Sequence, residues 1–338
     1  MAESYLSLSR ADRLDVLGVA ATKSGRPAHL LEKDVMVVWS IEGLFGSKFG
    51  GHLVFKGGTS LSKGYGIIKR FSEDIDVTYD VRQIIPDLAK GEAPLPASNA
   101  EASRWREAID KNLPIWVKEN ALPILQKHAD ASNIKLMLKA EGANLSVDHD
   151  HVAEGYGYIP PIVRLEFGAR STGEPAEVKE IQCDAFGQVE DVSFPVAKPR
   201  LMLPKRTFWE KATAVHVFCN KGVKENEHIS RHWHDLVRLD DSGHAKAAFA
   251  DGQLASDVAA FKSKFFRTTD RRGLQIDYAA AVSGNLQLVP TSKDERKMLE
   301  ADYKRMADDG ILLGDAEPFE KLMDRCGDLE KRANEHQG

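Results

Sequence analysis

Two aspartates separated by one isoleucine, Asp74 and Asp76 in RFSEDIDV, follow a glycine pair, Gly57 and Gly58 in FKGGTSL, after a spacer of helix length. On a β-strand alternate side chains share a face, so both carboxylates point the same way, roughly 6.6 Å apart along the strand, while Ile75 turns into the core. Hard oxygen ligands on one rigid face suit Mg²⁺ (or Mn²⁺), which takes one or two carboxylates and completes its shell with water and substrate phosphates. Two ions roughly 3.5–4 Å apart could clamp the attacking and leaving oxygens of a phosphoryl displacement. Gly57 and Gly58 would let backbone N–H groups approach a triphosphate, and the helix that follows would aim its positive end at the anion. Taken singly, the glycine pair is a tight turn and the aspartates are outward positions of a half-exposed strand. Their order is what points to phosphate chemistry. Neither GxxxxGK[ST] nor GxGxxG is present, which argues against a P-loop ATPase or a dinucleotide-binding fold.

Ser72, two residues before Asp74, could bring its hydroxyl to a phosphate oxygen or cap the turn. Lys56 and Arg70 could neutralise phosphate charge, or be solvated strand-end charges. A third acid is needed to hold two cations and to orient or deprotonate an attacking hydroxyl. Glu166 in PIVRLEFGAR is the candidate, a metal ligand on the same strand face as Arg164; an exposed Arg–Glu pair is the alternative. The run Asp148-His149-Asp150-His151 looks metal-like, but four adjacent polar residues in a loop cannot all converge on one ion, so a hairpin tip is expected. His232 and His234 fall on different helix faces, and no zinc site is expected.

These residues need a strand, a tight turn and a helix in order. His52–Phe55 supplies an apolar run, Gly57 and Gly58 break it, and Thr59 or Ser60 can cap a helix running towards Lys69. Asp74–Tyr79 reads as the next strand through Ile75, Val77 and Tyr79. Upstream, Arg10–Lys48 reads as helical, with Leu30, Val35, Val38, Ile41 and Leu44 at helical spacing. Downstream, residues 81–99 read as a proline-containing loop before a helix around Glu101–His128. Short β-like runs recur at Ile134–Leu138, Ile162–Phe167, Ala176–Ala185 and Val192–Val196, so the sheet is expected to be discontinuous in sequence. Beyond Pro204 the chain reads as mainly helical, at Lys205–Asn220, His228–Leu239, His244–Phe265 and Lys293–Ala307, with a charged helix near the end. The expected organisation is an N-terminal helical segment over 1–50, a core sheet over 51–200 with a helical insertion near 100–128, and a helical C-terminal domain over 201–338.

The chain has 338 residues, 42% hydrophobic and 29% charged, which fits an ordinary globular protein with a sizeable core. A formal charge of −5 argues against coating of nucleic acid by bulk charge and leaves room for a local basic groove. The segments KPRLMLPKR and RTTDRR (Arg267 to Arg272) could line such a groove or simply be solvated. Three cysteines without metal-finger spacing fit a reducing cytoplasm. No long apolar run and no signal-like amino terminus is seen, so neither membrane spanning nor secretion is expected.

Five blocks in order, GGTSL (Gly57 to Leu61), RFSEDIDV (Arg70 to Val77), RLEFGARS (Arg164 to Ser171), RTFWEKA (Arg206 to Ala212) and RHWHDLVRL (Arg231 to Leu239), together resemble the AbiEii/AbiGii (MenT-like) nucleotidyltransferase toxin family of the DNA polymerase β-like superfamily. The resemblance implies an α+β fold, a small mixed sheet with an extensive added helical C-terminal region. It implies a Mg²⁺-dependent transferase of a toxin–antitoxin or phage-defence system that moves a nucleotide from an NTP to an RNA acceptor, the tRNA 3′ end, and is paired with an antitoxin. Ser72, Asp74 and Asp76 would be its SxDxD block, Lys211 its block lysine and Asp235 its late aspartate. Gly57, Gly58, Thr59, Ser72, Arg70 and Lys211 would bind nucleotide. Lys211 could stabilise triphosphate charge in the transition state, and Asp235 could hold Lys211 or position substrate. Without the resemblance, Lys211 is a solvated helix position and Asp235 an acid of a helix's first turn. Two other readings are a transferase acting on a protein hydroxyl or small molecule, and a nucleotide-binding regulatory protein without turnover.

Overall fold

A computed structural model describes residues 2–72, 74–155, 160–223 and 228–337. The chain forms two compact units, one of Met1–Gly66, Phe71–Leu95 and Ser103–Met202, the other of Ile67–Arg70, Pro96–Ala102 and Leu203–Gly338.

The first unit is built on a mixed seven-stranded sheet: β1 Leu53–Lys56, β2 Asp74–Tyr79, β3 Leu136–Glu141, β4 Asn144–His149, β5 Val163–Gly168, β6 Ala176–Val178 and β7 Arg200–Met202. Their order is β3-β4-β5-β2-β1-β7-β6. The central strand β2 runs antiparallel to β1 and parallel to β5. Ile75 and Val77 pair in register with Leu165 and Phe167, and all four are buried on one face. The opposite face carries the polar alternates, which is the consequence of a two-residue period with one buried side.

The helix Ala28–Phe45 is apolar almost all round and is therefore buried along nearly its whole length, against β2 and β5. Its charged residues are held by specific partners. Asp34 Oδ2 accepts from Lys63 Nζ (2.6 Å) and from the Asp184 amide (2.6 Å), and Lys63 also meets Asp184 Oδ1 at 2.5 Å. Burial is the largest influence on Asp34 and raises its pKa against the pull of Lys63. Lys63 is the last residue of the helix Gly57–Lys63, so this buried network fastens that helix to the core. Removing one partner would leave an uncompensated buried charge, at a cost of about 3–5 kcal/mol.

The second unit consists of helices Pro204–Lys221, Arg231–Asp241, His244–Phe249, Gly252–Phe265, Tyr278–Val282, Lys293–Asp308 and Phe319–Gln337. Trp209, Trp233 and Phe208 are among its fully buried side chains, and Trp233 Nε1 donates to the Leu288 carbonyl (2.6 Å). No helix among the described residues is long and apolar enough to cross a membrane. The chain is thus a mixed α/β protein.

Several elements differ from their sequence-based expectation. The helix expected over Arg10–Lys48 is two, Arg10–Ser24 and Ala28–Phe45, because Gly25 adopts φ 73° and Pro27 starts the second. The helix expected to be capped by Thr59 or Ser60 and to run towards Lys69 begins at Gly57 and stops at Lys63, before Gly64. Gly57 turns the chain at φ 80°, and the N-cap is Lys56, three residues before Thr59. The helix around Glu101–His128 runs from Asn99 to Ala131 through a π turn, Val117–Ala121, set between Pro114 and Pro123. Asp148–His151 is not a hairpin tip: the β3–β4 turn lies at Gly142 (φ 59°), and Asp148 and His149 end strand β4. His244–Phe265 is broken where Asp251 caps a new helix by accepting from the Leu254 amide (3.1 Å).

Candidate active site

Gly57 joins β1 to its helix at φ 80°, a conformation open to glycine. A Cβ placed there would lie 2.2 Å from Asp76 Oδ2 and 3.0 Å from its Cγ. The missing side chain therefore leaves the space into which the second aspartate projects. No side chain caps the start of this helix, whose N-cap is Lys56. In its first turn, buried Thr59 donates from Oγ1 to the Asp74 carbonyl (2.6 Å) and shares a hydrogen bond with Ser72 Oγ (2.9 Å). One hydroxyl thus ties the glycine turn to both Ser72 and the backbone of Asp74.

The sheet register sets out the charges in two rows. Lys56 on β1 pairs with Asp76 on β2, and Asp76 pairs with Glu166 on β5. Asp74 pairs with Arg164 in the next row. Register partners lie on the same face about 4.8 Å apart, so Asp74, Asp76 and Glu166 share a half-buried face with one lysine and one arginine. Like charges on adjacent strands repel, and Asp76 beside Glu166 is a place where a cation would be stabilising. The donors on this face are hard carboxylate oxygens, the class of ligand that Mg²⁺ takes.

In the second unit, Asp235 lies on the helix Arg231–Asp241, fully buried. Arg70 grips both its oxygens, Nε to Oδ1 at 2.7 Å and an Nη to Oδ2 at 2.8 Å, and Lys211 Nζ reaches Oδ2 at 2.8 Å. Burial opposes ionisation of Asp235, but the Arg70 guanidinium and then the Lys211 ammonium outweigh it and hold the carboxyl well below the usual range. Burial pushes Lys211 down, with Asp235 opposing. His234 Nδ1 and Nε2 lie 3.4 Å from Asp235 Oδ1 and Asp315 Oδ2.

The structure therefore brings Gly57, Gly58, Thr59, Ser72, Asp74, Asp76 and Glu166 together within the first unit, and Arg70, Lys211 and Asp235 within the second. Arg70 turns its guanidinium to Asp235, and Lys211 is a buried residue of Pro204–Lys221, not a solvated one. The close fit of Gly57 to Asp76 has no sequence signal beyond the glycine itself, since it depends on how strand and turn meet.

The two basic segments carry much of their charge in pairs. Lys198 meets Glu180 (3.4 Å), Lys205 meets Asp251 (2.7 Å), Arg206 meets Glu210 (3.1 Å), Arg272 meets Asp270 (2.9 Å), and Arg200 and Arg271 meet Glu174 and Glu295. A basic groove made of these residues is accordingly weakened.

A family model described as nucleotidyl transferase AbiEii toxin, type IV TA system, matches residues 42–325. Among solved structures, the chain is similar to MenT4, a nucleotidyltransferase toxin from Mycobacterium tuberculosis H37Rv. That similarity is at 16% identity over 98% of this chain and 100% of that one, with a TM-score of 0.41. No curated protein matches the chain.

Proposed function

We propose that this chain, which belongs to the AbiEii nucleotidyl transferase toxin family, transfers a nucleotide from an NTP to the 3′ end of a tRNA in a Mg²⁺-dependent reaction. The chain is a nucleotidyltransferase by its family; the acceptor, the metal and the residue roles are our reading. The observation that carries it is the paired carboxylates of β2 set against the Gly57 turn, inside the matched region.

Asp74 and Asp76, with Glu166 as a further ligand, would hold the metal, which when bound supplies positive charge to the phosphate oxygens. Gly57 and Gly58 would admit the triphosphate close to the backbone, with Thr59 fixing Ser72 so that its hydroxyl meets a phosphate oxygen. The acceptor hydroxyl attacks the α-phosphorus as its proton passes to a carboxylate, and the bond to the β-phosphate breaks to release pyrophosphate. Lys211 is assigned to triphosphate charge from its place in the RTFWEKA block, with Asp235 keeping its ammonium oriented. Arg70 is assigned with them to the nucleotide side, acting through Asp235. An antitoxin is the expected protein partner, and the cytoplasm the expected compartment.

Incubation with each labelled NTP and total tRNA tests this reading. Label on the tRNA 3′ end supports it. Label on protein, or on no acceptor while pyrophosphate is released, assigns a different acceptor.

A further inference from the structure

Only two residues of the Asp148–His151 run are free to converge on an ion, and a third ligand reaches them from a helix. Asp150 is turned to Arg10 (2.7 Å) and Arg13 (3.1 Å). Asp148 Oδ1 lies 2.9 Å from His151 Nε2, a carboxylate–imidazole pair of the kind that orients metal-ligating histidines. His149 and His151, two apart on an extended chain, lie on one side with ring centroids 4.1 Å apart. Facing them is Glu32 of the helix Ala28–Phe45. Its two oxygens accept from the amides of Val152 (2.8 Å) and Ala153 (3.0 Å), which fixes the carboxylate.

His149 is buried beside Glu32. Its side chain is 5% exposed, yet among the described residues neither ring nitrogen has a hydrogen-bond partner, and Nε2 stands 3.7 Å from Glu32 Oε1. A buried polar group left unpaired costs about 1–3 kcal/mol, so a native fold keeps one where something else completes it. One ligand atom from each of Glu32, His149 and His151 lies within 4.8 Å of the others. All three line a cavity of about 260 Å³ that also receives His29, Lys33 and Glu154. The Lys33 ammonium is turned to the Pro160 carbonyl (2.6 Å).

We propose that Glu32, His149 and His151 form a binding site for a divalent transition metal, Zn²⁺, separate from the aspartates of β2. Two imidazoles and one carboxylate make a three-ligand set, which leaves the fourth position of a tetrahedral ion to water or another ligand. Zn–N bonds of about 2.0–2.1 Å need ligand atoms about 3.4 Å apart, so closure on the ion is a shift of roughly 1 Å or more, within reach of side-chain rotation. Borderline nitrogen donors separate this site from the all-oxygen face at Asp74 and Asp76, which suits Mg²⁺.

The test is Zn²⁺ titration of the full, chelator-stripped chain by calorimetry, with metal analysis after desalting and Co²⁺ absorption as a spectroscopic check. About one Zn²⁺ per chain should bind in the presence of excess Mg²⁺, and Asp74→Ala should bind it equally. His149→Ala and His151→Ala should each weaken binding at least tenfold and abolish the Co²⁺ band. His151 is partly exposed, so its variant decides the matter if loss of His149 unfolds the chain. No stoichiometric Zn²⁺ in the wild type, or unchanged affinity in folded His151→Ala, would overturn the proposal.

Discussion

Asp76 Oδ2 occupies the place beside Gly57 that a side chain would need: a Cβ on Gly57 would come within 2.2 Å of it. The backbone at Gly57, at φ 80°, is also one that an L side chain rarely adopts. Both constraints act on one residue, so glycine here is a condition for placing the carboxylate.

Gly57→Ala should therefore combine backbone strain of about 1–3 kcal/mol with displacement of Asp76. The expected outcome is a lower midpoint of thermal unfolding together with loss of nucleotide transfer of at least about 100-fold, the scale of a lost electrostatic contact at a reacting phosphate. Wild-type activity in this variant would mean that Asp76 is not a ligand.

Thr59 offers a finer probe. Thr59→Val keeps the shape but removes the proton given to the Asp74 carbonyl, a part-buried hydrogen bond worth about 0.5–1.5 kcal/mol. Thr59→Ser keeps the hydroxyl and should retain most of the stability. Urea denaturation of the two variants checks this, and equal stabilities would show that the hydrogen bond contributes nothing.

Asp235 joins Arg70 and Lys211 in a fully buried cluster. Asp235→Ala removes the carboxylate that two buried cations share and should cost about 3–5 kcal/mol, a large share of the 5–15 kcal/mol typical of a folded protein. Lys211→Met leaves Arg70 on Asp235 and should cost less. Denaturant midpoints rank the two, and the reverse order would contradict the pairing described.

His216 makes stability depend on pH. Burial lowers its pKa from 6.5 to about 4, with Asp277 opposing, and Nδ1 accepts the Gln287 amide (3.1 Å), which needs the neutral ring. Between those two values the unfolded chain binds the proton and the folded one does not, so stability rises with pH across about 4 to 6.5. At about 1.4 kcal/mol per pKa unit the full effect is on the order of 3 kcal/mol. Denaturation at pH 5 and pH 7 should show the wild type losing stability at the lower pH. His216→Gln, which can still accept that amide, should lose measurably less.

Much of this was legible in the residues. Strand β2 was expected over Asp74–Tyr79 and is found there, because Ile75, Val77 and Tyr79 alternate without a competing helical period. The family was legible in five short blocks, and the matched region contains all of them. The three-residue strand Arg200–Met202 was not, since it lies between Pro199 and Pro204 and is too short to show a period. Long-range pairings were illegible for a different reason: Asp76 beside Glu166 follows from parallel register across 90 positions, and Arg70 on Asp235 spans 165. Local pattern fixes which face a residue takes, and packing alone decides what it meets there. The nearness of Glu32 to His149 and His151 is illegible for the same reason, since it lies more than a hundred residues away on an apolar helix.

The central claim is that the β2 aspartates run nucleotide transfer. Release of pyrophosphate from NTPs in the presence of total tRNA, compared between wild type and Asp74→Ala with Mg²⁺ and with a chelator, tests it most directly. Turnover by the wild type with Mg²⁺, lost by at least about 100-fold in the variant and abolished by the chelator, is the predicted result. Equal turnover by Asp74→Ala at unchanged folded stability would contradict it.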